Sequence, residues 1–196
     1  MMVCFALSNK AQQAKLSWPE KCWGFTHPLA AIKVKTIAKK CKAVYLQHLP
    51  ALKPDSFLSG GRPDAFRHAF YMAAFAQKIR SKALIKLGKA HERGNYRQYL
   101  NSRTEDMFLP DSVSGLMDVF NNEVGIHLGR ENRRVSLEQL AMLCLDAIGQ
   151  GKMKVIKRNK KGERVSCNNE VPDPYYYAAK WNIPFCLVPS NELYMD

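Results

Sequence analysis

Acidic residues are scarce in this chain, with 17 Asp and Glu against 30 Lys and Arg in 196 residues and a net charge of +13. That imbalance favours an anionic target such as phospholipid, nucleic acid or an anionic wall polymer, although a basic surface also serves solubility. Long apolar runs are missing as well, and no stretch approaches the roughly 18 residues needed to cross a bilayer, which excludes a transmembrane helix. Between Met1 and Lys15 the only apolar run is Met2 to Leu7, without a basic flank, so no general-secretion signal peptide is visible. The expectation is a soluble protein, one that leaves its cell by a dedicated secretion machine or as a piece of a larger protein. None of the six cysteines (Cys4, Cys22, Cys41, Cys144, Cys167, Cys186) forms a C-x-x-C pair, which excludes a zinc knuckle and a thioredoxin-type motif. Most read as free or buried thiols, and disulfides are compatible with oxidation after export. Hinge-like Pro/Ser tracts, repeats and low-complexity segments are absent, so a chain that is 46% hydrophobic should fold as one domain around one core.

What is present reads as mainly α, a single helical domain with a small C-terminal β-hairpin or three-strand element. Residues 1–28 read as irregular, with Trp18-Pro19 and His27-Pro28 as breakers and Trp23 and Phe25 as anchors. Residues 29–150 form the helical core. Its first helix, Leu29 to Leu49, carries Lys33, Lys35, Lys39, Lys40 and Lys42, read as a solvated face. Pro63 suits the first turn of the next helix, which runs to Ile79 and is apolar almost all round, as expected of a central helix. Another starts at Ser81 and ends near Glu92-Arg93-Gly94, and residues 93–111 read as a charged loop, lid or rim. Asp111 or Ser112 caps a helix through Leu128, and Ser136 with Gln139 forms a capping box for Leu137 to Ile148. In the appendage, residues 151–196, Met153 to Arg158 and Glu163 to Cys167 flank Asn159-Lys160-Lys161-Gly162 as a hairpin, and Ile183 to Val188 adds a strand.

Polar motifs interrupt three of these apolar helices: Asp64-Ala65-Phe66-Arg67-His68, Ala90-His91-Glu92, and Met117-Asp118 through Asn121-Asn122 to Gly125. Burying such groups is costly unless they pair with one another, so they are expected to meet in one site. Asp64, His68 and Tyr71 share a stripe with Arg67 on its border, and Asp118, Asn122, Gly125 and Gly129 share another. Glycines there would let a backbone or a substrate approach closely. For hydrolysis, His68 or His91 could act as base with Asp118 or Asp64 orienting it, and Glu92 as acid or base. Arg67, Asn121 and Asn122 could hold a phosphate or an oxyanion, alongside Asp64, Tyr71 and Gly125 as substrate contacts. A metal reading uses His68, His91 and Asp118 as zinc ligands, but neither His pair has the H-E-x-x-H or H-x-H spacing, which leans slightly against a bound metal. The competing reading is a buried polar network that only locks three helices together. His27, His48 and His127 read as structural or surface residues.

The ordered set R-H, A-H-E and M-D-x-x-N-N-x-x-G, carried here by Asp64, Arg67-His68, His91-Glu92, Met117-Asp118, Asn121-Asn122 and Gly125, resembles an uncharacterised helical domain of bacterial toxins. That domain ends polymorphic-toxin and contact-dependent or type VI effector proteins, and the likeness covers about residues 55–130. The resemblance implies an antibacterial toxin delivered into a target bacterium, with a cognate immunity protein as partner. It implies no particular reaction. Combined with the basic charge, it leads to a hydrolase acting on an anionic envelope component, phospholipid or peptidoglycan. A nuclease stands second, since no aromatic-basic interleaving and no HNH-like motif is present. A non-enzymatic binding domain stands third.

Overall fold

The structure, a computed structural model, describes residues 16–53, 55–101, 109–177 and 180–192. Within them the chain is mainly helical, in the order α1 (Trp18–Thr26), α2 (Pro28–His48), a 3-10 turn (Leu49–Leu52), α3 (Arg62–Ala76), α4 (Ser81–Leu100), α5 (Ser112–Glu131), α6 (Leu137–Gly149), β1 (Lys154–Ile156), α7 (Pro174–Tyr177) and β2 (Leu187–Pro189). Every side chain of α3 from Pro63 to Ala76 is buried, so α3 is the central helix its composition implies. Around it lie α2, α4, α5 and α6.

Small residues set the tightest contact. A Cβ on Gly125 of α5 would stand 2.7 Å from the Ala69 Cα of α3, and one on Gly129 would stand 2.8 Å from the Ala73 Cα. No real Cβ tolerates such distances, so Gly125 and Gly129 serve the approach of one backbone to another and leave no room for a substrate. Pairing Ala69 with Gly125 and Ala73 with Gly129 also makes α3 and α5 run parallel.

Three expectations need correction. Residues 18–26 are helical, because Pro19 occupies the first turn, where its missing N–H is no loss, and Ser17 with Glu20 completes a capping box. Trp23 then docks this helix on α4 by donating its indole N–H to the Ala83 carbonyl at 2.9 Å. Next, α4 continues past Gly94 to Leu100. The absent side chain at Gly94 makes room for Ser17, whose Cβ would lie 2.7 Å from an added Cβ, so Gly94 is a packing site of the helix. The proposed lid falls partly on residues 102–108, outside the described residues. Finally, the hairpin shrinks to an isolated Arg158–Arg164 bridge, and β1 pairs antiparallel with β2, Val155 opposite Val188. Cys186 accounts for the exchange: its carbonyl accepts from Lys157 N–H at 2.8 Å, its N–H donates to the Val165 carbonyl at 3.0 Å, and a disulfide ties it to Cys167. Among the free thiols, burial pushes Cys41 and Cys144 up to about 12.

Replacing Gly125 or Gly129 by Ala should destabilise the fold by about 1–3 kcal/mol each through overpacking. Gly149→Ala, where nothing lies within 4 Å, should be neutral or slightly stabilising. Urea denaturation of the three variants checks the contrast.

Candidate functional site

The polar stripes of α3, α4 and α5 meet in one cleft. It is lined by Asp64, Arg67 and His68 from α3, His91 and Asn95 from α4, Ser114, Gly115 and Asp118 from α5, and Ser59 and Asp111 at its rim. Its volume is about 40 Å³, room for two or three water molecules or the tip of a substrate group.

His68 lies at the centre and is 2% exposed. Its Nδ1 lies 3.3 Å from the Asn122 side-chain oxygen, while Nε2 lies 3.3 Å from Asp118 Oδ1 and 3.4 Å from Asp64 Oδ1. The Asn122 oxygen at Nδ1 and the carboxylate oxygens at Nε2 are all acceptors, so they compete for the imidazole's N–H. Burial lowers the proton affinity of His68 and outweighs the opposing Asp64 carboxylate, with Arg67 and His91 adding to the depression.

Asp64 is held from both sides. Its Oδ1 accepts from Arg67 Nη2 at 2.6 Å, and Oδ2 accepts from the Gly60 N–H at 2.8 Å. Burial works to raise its pKa, but Arg67, His68 and Gly60 together keep the carboxyl well below the usual range. Arg67 thus neutralises one of the two carboxylates beside His68.

His91 is built on the same plan as His68. Its Nδ1 lies 3.1 Å from Glu20 Oε1, and the other Glu20 oxygen accepts from Ser17 N–H and Oγ, both at 2.7 Å. Against the upward push of burial, His91 and Ser17 hold Glu20 below its ordinary pKa, so it faces His91 as a carboxylate. That partner fixes the proton on Nδ1 and leaves Nε2 as the basic nitrogen. Glu92 follows on α4, with Oε2 accepting from Asn95 Nδ2 at 3.3 Å. Gly115 makes room for it, because a Cβ there would lie 2.8 Å from Glu92 Oε2.

Other candidates separate from the cleft. Tyr71 points into an aromatic cluster, its ring 6.2 Å from Tyr45 and 6.0 Å from Phe70. Gly125 lies in the α3–α5 seam. Asn121 anchors β1, accepting from Lys154 N–H and donating to the Lys154 carbonyl, both at 2.9 Å. Asn122 reaches the site only through His68. The proposed zinc set also divides: among the described residues, the donor atoms that lie within 4.8 Å of one another form two groups, Asp64, His68 and Asp118, and His91, Glu92 and Asp118.

Sequence reasoning missed Glu20, Asn95 and the rim. Glu20 is visible as Ser17-x-x-Glu20, a capping box, but nothing in that pattern tells that the carboxylate's second oxygen reaches a histidine 71 positions away. At the rim Asp111 caps α5, accepting from Val113 and Ser114 N–H at 2.9 Å, and takes Arg164 at 3.3 Å. Arg164 also donates to Ser59 Oγ at 2.8 Å, so the β element closes one side of the cleft.

Asn121→Ala should destabilise the protein by about 2–4 kcal/mol, because two backbone groups of Lys154 lose their partner. Chemical denaturation measures it.

No curated protein and no solved structure matches the chain. Glu20 and Arg164 lie outside the one span that does match a family, while Asp64, His68, His91 and Asp118 lie within it. Over residues 21–152, more than half its length, the chain matches DUF6973, a domain of unknown function, and it belongs to that family.

Proposed function

We propose that this chain is a hydrolase whose cleft cleaves an anionic substrate, in the role of an antibacterial effector acting on envelope phospholipid or peptidoglycan. One observation carries the hydrolytic reading: two buried histidines line one cleft, each with a ring nitrogen beside a carboxylate, His68 Nε2 at 3.3 Å from Asp118 and His91 Nδ1 at 3.1 Å from Glu20.

In this mechanism His68 is the base. A water molecule in the cleft gives a proton to Nε2 and attacks the scissile centre, and the imidazolium then returns that proton to the leaving-group oxygen as its bond breaks. The imidazolium so formed is stabilised by Asp118 and Asp64, which lie 3.3 and 3.4 Å away. Arg67 lines the cleft with its charge balanced by Asp64, so attraction of a negatively charged substrate rests on the basic surface around it. With a volume of about 40 Å³, the cleft takes only the scissile group, which suits a lipid headgroup or a polymer whose bulk stays outside. The effector role is supported by the motif resemblance and the net charge of +13. Among the described residues no helix is long and apolar enough to cross a membrane, so the envelope would be reached as substrate. Delivery by a dedicated secretion machine and a cognate immunity protein complete the proposal.

Expression in the periplasm of a sensitive bacterium should be toxic, and expression in its cytoplasm should not; DNA loss after cytoplasmic expression would replace the envelope reading with a nuclease. His68→Asn keeps a donor near Asn122 and removes Nε2. Toxicity should fall about 10²–10⁴-fold, the usual contribution of a general base, while melting temperature stays within a few degrees. A melting loss matched by residual activity proportional to the folded fraction would instead make His68 structural.

A further inference from the structure

The three residues His91, Glu92 and Asp118 offer one nitrogen and two carboxylate oxygens, all within 4.8 Å of one another. Two of these groups are held from behind by another side chain. Glu20 holds His91 at Nδ1, at 3.1 Å, and Asn95 holds Glu92 Oε2, at 3.3 Å. A carboxylate behind a histidine, leaving Nε2 as the lone-pair donor, is the outer support that metal-ligating histidines use to fix tautomer and direction. Gly115 adds space, since any side chain there would strike the Glu92 carboxylate.

We infer that His91, Glu92 and Asp118 bind one divalent transition ion of the zinc class, with Glu20 and Asn95 as positioning residues. Three protein donors leave a position for water, the pattern of a catalytic site. The neighbouring group of Asp64, His68 and Asp118 is not chosen, because the Arg67 guanidinium, 2.6 Å from Asp64 Oδ1, already supplies the positive charge there. An ion held there would lower the pKa of a water molecule, and His68 Nε2, 3.3 Å from the Asp118 carboxylate, would be the group to take its proton. The inference rests on reading this cleft as the working site, and it reverses the sequence-based lean against a metal. That lean relied on close ligand spacing within one helix, whereas here Asp118 comes from a different helix.

Zinc binding to the full chain, stripped by chelator with the Cys167–Cys186 disulfide intact, tests it. His127→Ala is the common background, to remove the exposed pair with Glu131. Elemental analysis after dialysis should find one zinc per chain. Zinc at about 100 times its Kd should raise the melting temperature by about 5–10 °C, and magnesium should not. Glu92→Gln, on a half-buried side chain that a fold tolerates, and His91→Ala should each lose the bound ion, and Glu20→Gln should weaken affinity about 10–100-fold. His68→Asn should retain one equivalent. No zinc and no thermal shift in the parent, or a bound ion that survives Glu92→Gln and His91→Ala but not His68→Asn and Asp64→Asn, overturns the inference. Hydrolysis without a bound ion leaves the functional reading standing and removes the metal; a bound ion without toxicity does the reverse.

Discussion

Ala69 and Ala73 of α3 press against Gly125 and Gly129 of α5, and this backbone contact sets the spacing on which the site depends. His68 precedes Ala69 by one residue, and Asp118 and Asn122 lie about two turns and one turn before Gly125. A wider seam would carry both α5 side chains out of reach of the imidazole. The contact is also a short-range one, made of atoms that cannot rotate away, so the His68 geometry is held by the fold and not by flexible side chains. The same small residues that lower helix propensity in α5 therefore determine the chemistry available to α3.

Polar groups at the centre of a core must be matched or they unfold it. Asp64 is matched by Arg67 and Gly60, His68 by Asn122 and the two aspartates, His91 by Glu20, and Asp111 by Arg164 and the first N–H groups of α5. Breaking a buried ion pair such as Asp64–Arg67 typically costs about 3–5 kcal/mol, much of a small domain's total stability. Elements that look peripheral are drawn in by this requirement. Through Glu20, α1 supports a histidine of α4, and through Arg164 the β element supports the cap of α5. A site spread in this way over most of the chain is a consequence of placing charge inside an otherwise apolar bundle.

Several features were legible in the sequence because they are local. The helical class, the central helix and the Ser136–Gln139 capping box follow from periodicity and from side chains that bond within a turn. That Asp64, Arg67, His68, His91 and Asp118 lie together follows from the energetics of burial, even though no spacing announces it. The sequence was misread where a local signal had two physical uses. Pro19 reads as a breaker but starts α1, and Gly94 reads as a terminator but makes room for Ser17. Asn121 and Asn122 look alike as neighbours, yet a turn of 100° per residue sends one to β1 and the other to His68.

By itself, then, the sequence determined helices α2, α3, α5 and α6 and the start of α4, which of them is most buried, and that a basic chain carries paired polar groups in its core, since each depends on residues within a few positions of one another. Tertiary structure alone decided which partner each polar group received: Glu20 for His91, Arg164 for Asp111, β2 in place of the hairpin strand for β1. Those choices join residues tens of positions apart, where no local propensity acts, and they are settled by which helix backbones can approach closely enough to bring one hydrogen-bonding atom within about 3 Å of another.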